Sequence, residues 1–413
     1  MLMPGQFAPT TEAFGLFLCY NSDKMKKKAP LIIALATITI AIIAILVKMF
    51  TLETEVELVQ TITMPALPVI SEMQEGDFKQ KAIAIDGEII QGTDQNPQPT
   101  ASTAKMILGL AIMEKKPFNQ GETGETITIT PEFYNRYLWY INHHGSVTAV
   151  INGEEISQYD ALASVFLASS NNMADTLAIW AFGNLEDYRT YATEMLDRIG
   201  VKNTTIGTDA SGYSETTTST AEDLAIIANK LLENPVLRGI VGLKFHTVPV
   251  AGTIENTNKI LGDDLNNNAT VIGVKTGYIG DISGYNLISA YQIENHFVTL
   301  AVLGSTTRQA SFIESKNELS RISGELTPTV IVKEGETVGY YQTWWSGQHN
   351  ITATEGITVL APENPDPNLK LEDQYIKAEI NGETYTAKTI HEEFPESPTI
   401  WERFLHVFGW QHQ

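Results

Sequence analysis

From Ala29 to Val47 the chain carries no charged residue: A-P-L-I-I-A-L-A-T-I-T-I-A-I-I-A-I-L-V. As a helix rising 1.5 Å per residue this run is about 29 Å long, the depth of a bilayer's hydrocarbon core. Lys24, Lys26, Lys27 and Lys28 stand immediately before it. By the positive-inside rule these lysines stay in the cytoplasm, and everything after residue 50 emerges on the extracytoplasmic side of a bacterial cytoplasmic membrane. The run is longer than the ~7–15 apolar residues of a cleaved leader, and no small-x-small site lies just beyond Val47. Residues 29–50 are therefore expected to form a retained transmembrane anchor, with 1–28 cytoplasmic. Met25-Lys-Lys-Lys makes the more natural start, which would leave 1–24 outside the working protein.

The chain beyond the anchor must fold outside without disulfides, because Cys19 is the only cysteine. The 49 acidic against 27 basic residues give a formal charge of −22, which excludes nucleic acid as a partner. Residues 51–80, with Pro65 and Pro68 among threonines and acids, read as a spacer. K-A-I-A-I-D-G-E-I-I-Q-G alternates about Asp86-Gly87, a hairpin signal, and D-Q-N-P-Q-P then delivers the chain to a helix. Gly121–Gly153 reads as turn-rich and partly β, with an aromatic cluster from Phe133 to Tyr140 assigned to core. The adjacent His143 and His144 lack a carboxylate or cysteine at ligand spacing, so no metal site and no cofactor is expected. Helical periodicity returns over 159–182, 185–199 and 220–232, strands over the 271–304 region, and a closing helix over about 309–322.

Three short patterns carry the chemistry. Ser102-x-x-Lys105 opens an apolar helix, and i and i+3 share a face, so hydroxyl and amine stand side by side. A serine becomes a nucleophile when a neighbour takes its proton, and a lysine does so when burial or another cation lowers its pKa. Ser169-x-Asn171 lies in a polar block that interrupts an apolar helix and needs partners there; read alone, Ser169 could equally be an N-cap. Lys275-Thr276-Gly277 ends a strand-like run, and its glycine lets another backbone or a ligand come close.

In that order the three patterns resemble the active-site motifs of penicillin-recognising serine enzymes, and within them the low-molecular-mass penicillin-binding proteins that are D-alanyl-D-alanine carboxypeptidases. The resemblance spans roughly 75–395 and includes N-T-N-K around Asn256, G-Y-N-L after the third motif, and L-G-S before the closing helix. It implies an α+β transpeptidase-like fold, an antiparallel sheet with helices, over 81–325. It also implies a peptidoglycan stem peptide ending in D-Ala-D-Ala as substrate and β-lactams as inhibitors. Ser102 would attack the penultimate carbonyl, Lys105 would take its proton, and Ser169 would relay a proton to the leaving amine. Asn171 would hold the substrate amide and Lys105, while Lys275 and Thr276 would bind the terminal carboxylate beside Gly277. The N–H groups of Ser102 and Tyr278 would form an oxyanion hole. Lys275 near Lys105 would help depress the base. One departure stands out: Ile279 and Ser283 replace the family's usual threonine and alanine after the third motif, with an apparent one-residue insertion.

Residues 326–394 alternate and break at Gly, Asn and Pro, as a small β-sandwich would, and 395–413 form an amphipathic tail. In the resembled family such a tail lies on the membrane; otherwise it is a short helix capping the sandwich. Two rival functions remain. A class A β-lactamase would need a glutamate to activate the deacylating water, and no E-x-x-x-N occurs between Asn171 and Lys275. A wall-binding protein that kept the pocket without turnover is the other.

Overall fold

The computed structural model describes residues 12–362, 367–372, 374–380 and 382–410, with side chains from Lys28 onward; residues 1–11, part of the segment set apart at the N-terminus, lie outside the described residues. The chain forms two compact units: 65–330 with 358–367, and the remainder.

The sheet of the first unit has five antiparallel strands: β1 (Gln80–Ile85), β2 (Glu88–Gly92), β3 (Val271–Gly277), β4 (Tyr285–Ile293) and β5 (His296–Ser305), in the order β3-β4-β5-β1-β2. The β1–β2 hairpin turns at Asp86 and Gly87, both with positive φ, as the Asp-Gly signal predicts. The period of 2 divides the sheet's two faces. Ala82, Ala84, Ala301 and Leu303 enter a large core, and Ile83, Ile85, Val298, Leu300 and Val302 a smaller one. The large core is completed by helices α1 (Lys105–Lys115), α2 (Pro131–Asn142), α3 (Gln158–Phe166), α4 (Asn171–Phe182), α5 (Leu185–Arg198), α6 (Ala221–Glu233) and α7 (Pro235–Val241). On the other face α8 (Arg308–Glu325) contributes Phe312, Leu319 and Ile322.

The stretch expected to be turn-rich and partly β contains α2. Thr130 caps it through the Phe133 N–H, Pro131 occupies its first turn, and Phe133 and Tyr140 face the core. The β-favouring aromatics masked that start signal. The helical run expected over 159–182 is two helices, parted at Leu167–Ser170 by the polar block.

The second unit starts with a helix, Glu12–Phe50, of which Lys28–Phe50 is long and apolar enough to cross a membrane and is largely exposed. Its six-stranded antiparallel sheet takes strands from 337–391, and its edge strand is Glu57–Gln60, paired with Thr337–Thr343. The segment expected as a spacer is thus divided between the units: Glu57–Gln60 joins this sheet, whereas Ile70, Met73 and Phe78 pack in the smaller core of the first unit. Four residues, E-L-V-Q, are too few to register as a strand when their partner lies some 280 residues away. In the tail, Ile400–Val407 is a helix with a Thr399/Glu402 capping box, and Arg403 donates to the Met49 carbonyl at 3.1 Å.

Candidate active site

Ser102 sits in a single 3₁₀ turn, Ala101–Ala104, that runs into α1 at Lys105. The residues packing behind it, Met106, Ile107 and Leu108, are wholly buried, so Lys105 is too, while Ser102 remains partly exposed. The Lys105 Nζ donates to Ser102 Oγ at 2.8 Å, to Asn171 Oδ1 at 2.8 Å and to the Ser211 carbonyl at 2.7 Å. Burial brings this amine down to about 7, against the pull of the Asp209 and Asp175 carboxylates, which favour the ammonium. Lys275 shares this burial and stands close enough for the two amines to repel each other: it is held well below the usual lysine range by burial first and by Lys105 second.

The junction between α3 and α4 explains the polar block. Ser170, not Ser169, is the N-cap of α4, accepting from the Met173 N–H, and Ser170 and Asn172 together accept the Thr148 N–H. Asn172 also donates to the Thr148 carbonyl at 3.0 Å. With those two groups tied to the 146–150 segment, Asn171 is left to Lys105. Ser169, at φ +57°, is left to Lys275, whose Nζ lies 3.0 Å from its Oγ.

The third motif lies at the end of the edge strand β3, paired Gly277 to Asn286. A Cβ on Gly277 would come 2.9 Å from the Thr100 carbonyl and 3.2 Å from the Ser102 nitrogen, so only glycine lets this strand end lie against the nucleophile's turn. Asn286 donates to the Thr100 carbonyl at 3.1 Å and accepts the Gly304 N–H, fixing that turn to the sheet. N-T-N-K is a clamp of the same kind. Asn256 donates to the Leu243 carbonyl and Asn258 to that of Gly273, which leaves the Thr257 hydroxyl 2.7 Å from that of Thr276. The altered stretch after Gly277 closes on itself: the Ser283 hydroxyl accepts the Ile279 N–H at 2.9 Å and donates to the Gly284 carbonyl at 2.8 Å. The Tyr278 ring stacks on Tyr285, 4.1 Å between centroids.

Ser102, Ser169, Thr276, Gly277 and Tyr278 line one cleft of about 230 Å³. His144 lines it as well, whereas the His143 ring stacks on Trp139. All eight residues singled out by sequence thus converge: five line the cleft, and Lys105, Asn171 and Lys275 stand directly behind them.

Two contributors escaped sequence reasoning. Exposed Arg308, first residue of α8, lines the cleft as a permanent cation. The loop 209–214 supplies the carbonyl that holds Lys105, and Asp209 organises it by accepting from the N–H groups of Ser211, Tyr213 and Ser214 and from the Ser211 hydroxyl. In the sequence T-D-A-S-G-Y carries one signal, Gly212, at φ +68°, where a Cβ would stand 1.9 Å from the Ala101 carbonyl. Gly212→Ala should therefore destabilise the fold by about 3 kcal/mol and disturb the turn bearing Ser102. Gly153→Ala, with φ +86° and no atom within 4 Å, should show only the smaller backbone strain, about 1 kcal/mol. Equal losses in denaturant titrations of the two variants would contradict the close packing.

The antiparallel five-stranded sheet flanked by helices thus carries all three motifs around or directly behind one cleft. A family model described as D-alanyl-D-alanine carboxypeptidase matches residues 79–307, and the chain belongs to that family. Among its relatives, D-alanyl-D-alanine carboxypeptidase DacC of Escherichia coli is 28% identical over 245 residues, covering 54% of this chain and 56% of DacC. DacF of Bacillus subtilis is 24% identical over 235 residues, 54% of this chain and 58% of DacF. The chain thus spans little more than half the length of these curated relatives. Solved structures share the fold. The peptidoglycan synthesis regulatory factor PBP3 of Streptococcus pneumoniae is 17% identical with a TM-score of 0.63, covering 78% of this chain and 99% of that one. Penicillin binding protein 5 of Haemophilus influenzae is 18% identical with a TM-score of 0.59, covering 78% and 100%.

Proposed function

We propose that this chain is an active serine-type D-alanyl-D-alanine carboxypeptidase that removes the terminal D-alanine from peptidoglycan stem peptides through an acyl-enzyme on Ser102. It works from an N-terminal anchor, with the catalytic unit on the extracytoplasmic side, and β-lactams block it by acylating the same serine. The observation that carries this reading is Lys105: a wholly buried amine, 2.8 Å from Ser102 Oγ, brought down to about 7. An amine so placed accepts the serine's proton at neutral pH.

The remaining groups take their parts around that step. The Ser102 oxygen attacks the carbonyl of the penultimate D-alanine, whose oxyanion is received by the Ser102 and Tyr278 N–H groups, a contribution of about 3–4 kcal/mol per donor. Ser169, bonded to Lys275, relays to the departing amine the proton that Lys105 took from Ser102, so that the hydroxyl and the base are both restored. Burial and Lys105 hold Lys275 well below the usual lysine range, and a substrate carboxylate would favour its charged form. The carboxylate meets Thr276 and Arg308 in the same cleft. Water then hydrolyses the ester.

The test is to incubate the full chain in detergent with benzylpenicillin, follow intact mass and map the modified peptide, in parallel with D-alanine release from a D-Ala-D-Ala peptide. A long-lived one-to-one adduct on the Ser102 peptide together with released D-alanine is expected. Penicillin consumed through a fleeting adduct would make the protein a β-lactamase. An adduct without D-alanine release would leave a penicillin-binding wall protein, and no adduct would remove Ser102 from the chemistry.

The same geometry sets two further outcomes. Acylation should rise with pH through about 7, since the neutral form of Lys105 is the base and predominates above its pKa. A profile falling across that range would exclude Lys105 from the role. Arg308→Ala should raise KM for the peptide acid roughly tenfold or more while changing kcat little, because a charge-assisted bond made in ground and transition states alike is lost. An unchanged KM would show that the carboxylate lies elsewhere.

A further inference from the structure

Beside the cleft lies a larger cavity, about 680 Å³, whose wall includes Arg136, Trp139, Tyr140, Asp175 and Asp209. Asp175 is 2% exposed and lies one helical turn beyond Asn171 on α4, so both point from the same face towards the site of Lys105. Asn171 takes Lys105 directly. Asp175 takes the layer behind it: Oδ1 accepts the Ala210 N–H at 3.1 Å, and Oδ2 accepts the Tyr140 hydroxyl at 2.8 Å and Arg136 Nη1 at 3.2 Å. Ala210 immediately precedes Ser211, whose carbonyl holds the Lys105 amine.

We propose that Asp175 is a positioning residue for acylation. Through Ala210 it fixes the Ser211 carbonyl on Lys105, and through space its negative charge tunes the base from behind the loop. This rests on the assignment of Lys105 as the base. The charged groups facing the pair are few. Lys105 meets Asp209, Asp175 and Lys275; Asp175 meets Arg136 and Tyr140 from α2, Asp209 from the loop and Tyr188 from α5. Glu132 stands behind Arg136 at 3.8 Å. Burial, and then Asp209, raise Asp175 to about 6, so it is mostly ionised where Lys105 titrates. A carboxylate there favours the ammonium, and removing it must make Lys105 easier to deprotonate.

The experiment compares acylation rates of Asp175→Asn and wild-type full-length protein with a fluorescent penicillin from pH 5.5 to 8.5, counting only active sites that finally label. The variant's acid limb should move to lower pH. Its rate at pH 6, relative to its own plateau at pH 8, should rise about threefold, the ratio for half a pH unit. A uniform loss with an unmoved limb would reduce Asp175 to a structural part and overturn the proposal, as would no change at all. If Asp175→Asn does not fold, Tyr140→Phe serves. The hydroxyl it removes stabilises the carboxylate, so Asp175 is neutral over more of the range and the limb should shift in the same direction. A wild type that forms no Ser102 adduct would instead bring down the functional reading, and this inference with it.

Discussion

Ser102→Ala is expected to give no covalent adduct with benzylpenicillin and to lower D-alanine release at least a thousandfold, while the protein folds and still binds the peptide. The fold should hold because the hydroxyl is not part of the core: Ser102 is partly exposed, and its loss leaves Lys105 with two of its three acceptors, Asn171 Oδ1 and the Ser211 carbonyl. Binding should hold because Thr276, Lys275 and Arg308 remain. In the proposed reaction the lost atom is the one that forms the ester, and the hydroxyls of the other two motifs are already engaged: Ser169 is held by Lys275 and Thr276 by Thr257. Intact-mass spectra and a peptide titration followed by calorimetry read the two halves separately. Adduct formation by the variant would move the nucleophile elsewhere, and loss of peptide binding would mean that the serine does more than react.

Lys105→Met is the second large effect, a fall in acylation rate of about 10³-fold, within the range for removing a general base. Methionine fits the volume, but it leaves Asn171 Oδ1 and the Ser211 carbonyl buried without their donor. Each such loss costs about 1–3 kcal/mol, partly offset because a wholly buried amine no longer has to be desolvated. Stability should therefore change far less than rate. The discriminating measurement is the pH profile: the rise through about 7 should vanish with the amine. A variant that keeps that rise would assign it to another group.

How much of the site is legible in the sequence depends on how local each feature is. Ser102 and Lys105 are legible because three residues of helix bring them together, and the Asp86-Gly87 hairpin because the turn chemistry lies within two residues. Asp175 and Arg308 are not, because each reaches the site only through tertiary packing: one across the 209–214 loop, the other at the head of a helix after the last strand. Asp209 resembles any loop acid until the four donors around it are placed. The edge strand Glu57–Gln60 is invisible for the complementary reason, that its partner is the remote Thr337–Thr343.

That edge strand has a bearing on what a single break in the chain would separate. The first unit is inserted into the sequence of the other: the chain enters it at Pro65, leaves it after Val330 and returns to it over 358–367. A single proteolytic nick near Met64 would separate the apolar N-terminal helix from the first unit in sequence but not in fact. Glu57–Gln60 would still be stitched into the sheet built from the far end of the chain, and Arg403 would still hold the Met49 carbonyl. After a nick there, freeing the apolar helix requires a second event, either another cut or the unzipping of that strand.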